Sequence, residues 1–268
     1  MAADENLNLD GFVLRYRVEG PADGPWVTLS NSLVCDLTMW DRIVPGLTQA
    51  GLRVLRYDQR GHGRSTASPP PYAIADLAGD ILALWDHLGI ARSGLVGLSL
   101  GGMTGICLGL DHASRVTWLV AADCRASADP GYAAMFEARA DATRQDGMAS
   151  MVEPTLGRFF SPGFAAEHPE TVARYGAMIA ATDPDGHIGC CLALAGGRFE
   201  PRLAELTVPA LFLGGEHDIG APPALMAAMH AKVPGSRHVV LPGAGHISCE
   251  ENPDRFLAAV LGLHGTVR

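Results

Sequence analysis

The sequence of 268 residues contains no stretch of about 18 consecutive apolar residues, so it offers no segment that could cross a bilayer as a helix. Its opening, Met1-Ala2-Ala3-Asp4-Glu5-Asn6, lacks the basic start and apolar run of a secretory leader, and a soluble, cytoplasmic protein is expected. Basic clusters are missing as well. Lys and Arg number 20 against 29 Asp and Glu, a formal net charge of −9, which disfavours nucleic acid or any other polyanion as a partner. The six cysteines, Cys35, Cys107, Cys124, Cys190, Cys191 and Cys249, include no Cys-x-x-Cys pair, so a thiolate zinc site is not expected. In a reducing compartment a chain with so large a core also needs no disulfides. Neither a dinucleotide fingerprint nor a phosphate-binding Gly-x-x-x-x-Gly-Lys-Ser/Thr string occurs.

What is present is a composition that is 48% hydrophobic, with 32 glycines and 18 prolines, enough for a substantial core and many tight turns. Short apolar runs at 13–18, 26–30, 54–57, 94–96, 116–121, 210–213 and 239–241 read as strands. Between them, Ile74, Leu77, Ile81, Leu84, Trp85 and Leu88 recur at helical spacing, and a further helix begins near Ser99. This alternation predicts an α/β fold with a mainly parallel sheet covered by helices on both faces. The rhythm breaks after Cys124. Residues 132–143, 148–160, 164–181 and 189–194 read as helices without intervening strands, punctuated by Asp129-Pro130, Ser161-Pro162 and Asp183-Pro184. The organisation expected is a core of 1–123 and 203–268 carrying an inserted helical cap over 124–202, closing on the C-terminal ends of the strands.

Gly97-Leu98-Ser99-Leu100-Gly101 follows a short apolar run and precedes a helix, the context of a nucleophile elbow. A serine hydroxyl needs a base, and the base needs an acid to fix its tautomer. Asp218 and His246 each lie just beyond an apolar run, in the chain order Ser, Asp, His, and so fall at the same sheet edge as Ser99. Asp218 would equally serve as a helix cap before Pro222-Pro223, and His246 as a plain buried imidazole. Two oxyanion donors are expected, the backbone N–H groups of Leu100 and of Leu33 in Ser30-Asn31-Ser32-Leu33. The segment Asp58-Gln59-Arg60-Gly61-His62-Gly63-Arg64-Ser65 reads as a rigid turn rather than a substrate loop. Such chemistry requires no metal or organic cofactor.

With these residues in place, the chain resembles the α/β-hydrolase superfamily over nearly its full length, on Asn31-Ser32-Leu33, Asp58 to Ser65, Gly97 to Met103, Gly214 to Asp218 and Gly245-His246. Within that superfamily it resembles the 3-oxoadipate enol-lactonases, on Ser30-Asn31-Ser32-Leu33, Val54 to Asp58 and the cap stretch Met178 to His187. The resemblance implies the α/β-hydrolase fold, Ser99, Asp218 and His246 as catalytic residues, Leu33 and Leu100 as oxyanion donors, and the opening of a carboxymethyl-bearing enol-lactone in aromatic catabolism. His187 stands where the family usually carries Tyr. Arg125, His187 and Trp118 are the expected substrate contacts, with Arg125 the first choice for a substrate carboxylate because it follows the 116–121 strand near the mouth of the cap. The alternatives are a carboxylesterase or another lactonase or amidase acting on a small ester or ring, and a binding protein that has kept the fold.

Overall fold

The computed structural model describes residues 3–267. Eight strands form one sheet: β1 (Glu5–Leu9), β2 (Phe12–Glu19), β3 (Trp26–Ser30), β4 (Arg53–Tyr57), β5 (Ser93–Leu98), β6 (Val116–Ala122), β7 (Ala210–Gly215) and β8 (Arg237–Leu241). Their spatial order is β1-β2-β4-β3-β5-β6-β7-β8, with the β1–β2 and β2–β4 pairings antiparallel and every later pairing parallel. The parallel part has the α/β-hydrolase architecture expected from the sequence. Every residue of β5 and β7 is buried, because helices cover both faces, whereas the edge strand β8 is buried only at Leu241. The runs at 13–18 through 239–241 all lie inside observed strands. One strand, β1, was not expected; it carries only Leu7 and Leu9 among polar residues and is held by pairing with β2.

Helices α1 (Val44–Gln49), α2 (Ile74–His87), α3 (Leu100–Asp111), α9 (Pro223–Ala231) and α11 (Pro253–His264), with the short α10 (Ser248–Glu251), belong to the sheet layers. Of the apolar positions chosen for α2, Ile74, Leu77, Ile81, Leu84 and Trp85 are buried while Leu88 falls at its C-cap and is half-buried, and the Asp76 carboxylate accepts from the Ala73 N–H at 2.7 Å to cap its first turn.

Between β6 and β7 the chain leaves the sheet and forms the cap: α4 (Pro130–Asp146), α5 (Val152–Phe159), α6 (Pro162–Glu167), α7 (Pro169–Ala181) and α8 (Pro184–Gly196). The expected helix over 164–181 is two helices. His168 leaves helical geometry at φ −128°, ψ 55°, and Pro169, which cannot donate inside a helix, opens α7. The cap is tied to the sheet layers by Arg174 to Glu250 at 2.7 Å, by the Ser161 hydroxyl to Glu251 at 2.6 Å, and by the Asp183 N–H to Gly61 O at 2.9 Å. Among the described residues no helix is long and apolar enough to cross a membrane.

Candidate active site

Ser99 sits between β5 and α3 with φ 57° and ψ −112°, a conformation that L-residues avoid unless their surroundings impose it. Its N–H donates to Ala122 O at 2.9 Å, and the Gly101 N–H donates to Asn31 O at 3.0 Å, which pins the turn between β6 and the loop after β3. The flanking glycines are obligatory for space. A Cβ on Gly97 would lie 2.1 Å from Gly101 O, and one on Gly101 would lie 2.1 Å from Ser30 O. Leu100 opens α3, so its N–H has no carbonyl one turn earlier and points from a helix N-terminus that favours negative charge.

Asp218 follows β7 and His246 follows β8. The His246 Nδ1 lies 2.9 Å from Asp218 Oδ2, and the other carboxylate oxygen accepts from the Gly220 N–H at 2.7 Å. Because an ionised carboxylate only accepts, Nδ1 carries the proton and Nε2 is left bare. Burial pushes the Asp218 carboxyl up, but the charge and hydrogen bond of His246 and the amides of Ala221 and Gly220 outweigh it and hold the group below the usual carboxylate range. The His246 ring stacks on Phe159 of the cap, centroids 5.8 Å apart at 23°, and its side chain is 12% exposed.

Ser99 and His246 border one cavity, lined also by Leu33, Tyr132, Phe136, Arg139, Arg158 and Phe159. Among the described residues no hydrogen bond joins Ser99 to His246, a contact that commonly tightens only with substrate in place. The fold therefore brings Ser99, Asp218, His246, Leu33 and Leu100 to one sheet edge.

The expected substrate contacts fare differently. Trp118 is the third residue of β6, pairs with Gly94 and packs on His264, at the end of the strands away from Ser99. His187 is fully buried inside the cap, 2.8 Å from the Thr143 hydroxyl, with its pKa pulled down by burial to about 3. Arg125 is paired with Asp129 at 2.8 Å and donates to Gly220 O, outside the residues that line the cavity. None of the three borders the cavity. Two cap arginines that were not singled out do. Arg139 on α4 donates to the Thr155 hydroxyl at 2.5 Å, and its buried Nε has no partner; Arg158 on α5 has no acid within ion-pair distance among the described residues. Three other cap arginines are satisfied: Arg144 by Asp141, Arg174 by Glu250, and Arg198 by the carbonyls of Ala195 and Gly197. Nothing in α4 read as sequence separates Arg139 from its neighbours; only the absence of an acid at i±3 or i±4 set it apart.

A strand-to-helix elbow bearing serine, with an aspartate-bound histidine at the next strand ends, is the site plan of α/β-hydrolases. Residues 29–253 match the family described as alpha/beta hydrolase fold, and the chain belongs to it. It is 33% identical to 3-oxoadipate enol-lactonase 2 of Acinetobacter baylyi over 96% of this chain and 94% of that protein. It is 34% identical to a putative carbamate hydrolase RutD of Variovorax paradoxus over 78% of this chain and 80% of that one. Among solved structures, the enol-lactonase from Burkholderia xenovorans superposes with a TM-score of 0.93 at 36% identity, covering 97% of this chain and all of that one.

Proposed function

We propose that the protein is a serine hydrolase that opens a small carboxylate-bearing lactone, an enol-lactone of the 3-oxoadipate type, through an acyl-enzyme. One juxtaposition carries the reading: the Ser99 elbow and the Asp218-bound His246 face the same cavity as Arg139 and Arg158, two cations without an acid partner. Unneutralised charge beside Tyr132, Phe136 and Phe159 is costly, and a substrate carboxylate is the group that would relieve it. In a chain of net charge −9, arginines left free at such a place argue for anion recognition. The similarity to two enol-lactonases supports the same substrate class.

In this mechanism the bare Nε2 of His246 takes the Ser99 proton as Oγ attacks the lactone carbonyl, and the oxyanion is held by the N–H groups of Leu33 and Leu100. The ring C–O bond breaks, and the departing enol oxygen takes the proton back from His246. It remains tethered to the acyl chain. Water, deprotonated by His246, then releases Ser99 and frees the acid. Arg139 and Arg158 hold the carboxylate arm at the far side of the cavity, fixing which carbonyl face meets Oγ.

Labelling with a fluorophosphonate should modify the native protein at Ser99 and leave S99A unmodified. On a panel of substrates, a carboxylated enol-lactone should exceed its neutral methyl ester by roughly tenfold or more in kcat/KM. Preference for neutral esters would overturn the lactone assignment while leaving the serine mechanism standing. The carbamate hydrolase relative makes a small carbamate the second substrate to include.

A further inference from the structure

Asp123 is a carboxyl that the chemistry above leaves unused. It follows the last residue of β6, is fully buried and has φ 47°, a left-handed conformation that most non-glycine residues avoid. Its N–H donates to Leu213 O of β7 at 2.8 Å. One carboxyl oxygen, Oδ1, accepts from the Gly215 N–H at 2.8 Å, at the point where β7 ends and the loop to Asp218 begins. The other, Oδ2, accepts from the Ser248 hydroxyl at 2.5 Å, two residues beyond His246 and at the start of α10. One side chain therefore grips both loops that carry the acid and the base.

Other uses for this group are closed by its surroundings. It does not line the cavity, and the Nδ1 of His246, the atom an alternative acid would need, is already held by Asp218. Burial first, and then the negative charges of Asp218 and Glu251, push the Asp123 carboxyl well above the ordinary range; the thiols of Cys124 and Cys249 also face it. The surroundings thus push the two neighbouring carboxyls apart, Asp218 down and Asp123 up.

We propose that Asp123 is a positioning residue, a clamp that locks the Asp218 loop to the His246 loop and so fixes the 2.9 Å contact between those two side chains. The inference rests on the serine-hydrolase reading above. A base displaced by a fraction of an ångström loses its line to Oγ without altering the cavity that binds substrate, so the effect belongs in kcat rather than KM.

The test compares D123A, D123N and S248A with the native protein by the rate of fluorophosphonate labelling at Ser99, by kcat and KM on a p-nitrophenyl ester, and by the pH–rate profile. D123A should label and turn over roughly 30- to 100-fold more slowly with KM within about twofold. D123N should recover to within about threefold, because its amide oxygen accepts from Gly215 and its amide nitrogen donates to the Ser248 hydroxyl. S248A, which cuts one of the two ties, should fall between them. D123N should also keep the native acid limb to within half a pH unit, because a clamp acts through geometry and not through charge. A folded D123A that labels at the native rate overturns the clamp, as does D123N as slow as D123A. An acid limb displaced in D123N by more than half a pH unit overturns it too, by making Asp123 a charged partner of His246. Should D123A fail to fold, S248A decides alone: native kcat in S248A overturns the proposal. A native protein that does not label would overturn the serine reading itself, and this inference with it.

Discussion

The sheet edge and the cap hold their polar groups in opposite ways. At the edge the backbone around the reacting groups is tied down: the Ser99 N–H donates to Ala122 O and the Gly101 N–H to Asn31 O, Asp218 is held by Gly220 and His246, and the neighbouring His217 N–H donates to Ala244 O at 2.8 Å. On the cap side of the same cavity, Arg139 is held by the Thr155 hydroxyl and the Cys191 thiol and, like Arg158, has no acid within ion-pair distance among the described residues. Preorganised dipoles need no rearrangement when charge develops, whereas unpaired cations are completed by what enters. The difference teaches that reactivity is built into the sheet and selectivity is left for the ligand to finish in the cap.

The largest effects should come from the edge. S99A should lose kcat by about 10⁴-fold or more on every substrate, and D218N by about 10⁴-fold, since an amide in place of the carboxylate permits the wrong His246 tautomer. Single-turnover rates on a lactone and a neutral ester check that the loss is uniform; a loss confined to one substrate would break the division between edge and cap. Smaller and selective effects should come from the cap. R139Q should raise KM for a carboxylated lactone by about 10- to 100-fold and R158Q by about 3- to 10-fold, with neutral esters changed less than about twofold. R125Q, already neutralised by Asp129, should change both substrates alike. Equal losses of R139Q on charged and neutral substrates would return Arg139 to a packing role against Thr155.

Much of this contrast was readable from sequence on one side and little on the other. Strands ending in Gly97-Leu98-Ser99, in Gly214 to Asp218 and ahead of Gly245-His246 announce themselves by apolar runs followed by turn residues, and strand direction then puts their ends together. Trp118 shows the same logic applied too loosely: as the third residue of β6 it belongs four positions before the active edge. The cap offers no such ruler. Which face of α4 meets the cavity is set by its packing on α8, not by any sharp apolar stripe in its own sequence, so only the lack of a nearby acid distinguishes Arg139 from Arg144. His187 illustrates the converse, a polar residue chosen for its position by resemblance and then found inside the cap, bonded to Thr143. Asp123 was passed over because a residue just after a strand reads as a turn until its two hydrogen-bond partners, 92 and 125 positions away, are known.

The last expected effect is on stability alone and lies on the seam between the two regions, where Gly61 of the core loop meets Gly186 of α8 and leaves no room for a side chain on either. Two buried histidines flank that contact. His62 donates from Nδ1 to Arg60 O, leaving a bare, unpartnered Nε2, and burial pulls its pKa down to about 4 against the partial support of the Arg60 carbonyl, Asp183 and Asp36. His187 is pulled down to about 3 by burial first, then by Arg139 and by His62 itself. Both are neutral in the fold, and the unfolded chain binds protons that the folded one refuses between about pH 6.5 and 4. Stability is therefore complete above pH 6.5 and lost as pH falls, by about 2 kcal/mol per histidine at pH 5, or roughly 4–8 °C in Tm. Thermal melts at pH 7.5 and 5 should show that drop in the native protein, and H62Q and H187Q, whatever their own cost at pH 7.5, should each shrink the interval between the two melts. An unchanged interval in both variants would place the acid sensitivity elsewhere and leave the seam no weaker than the sheet edge it closes upon.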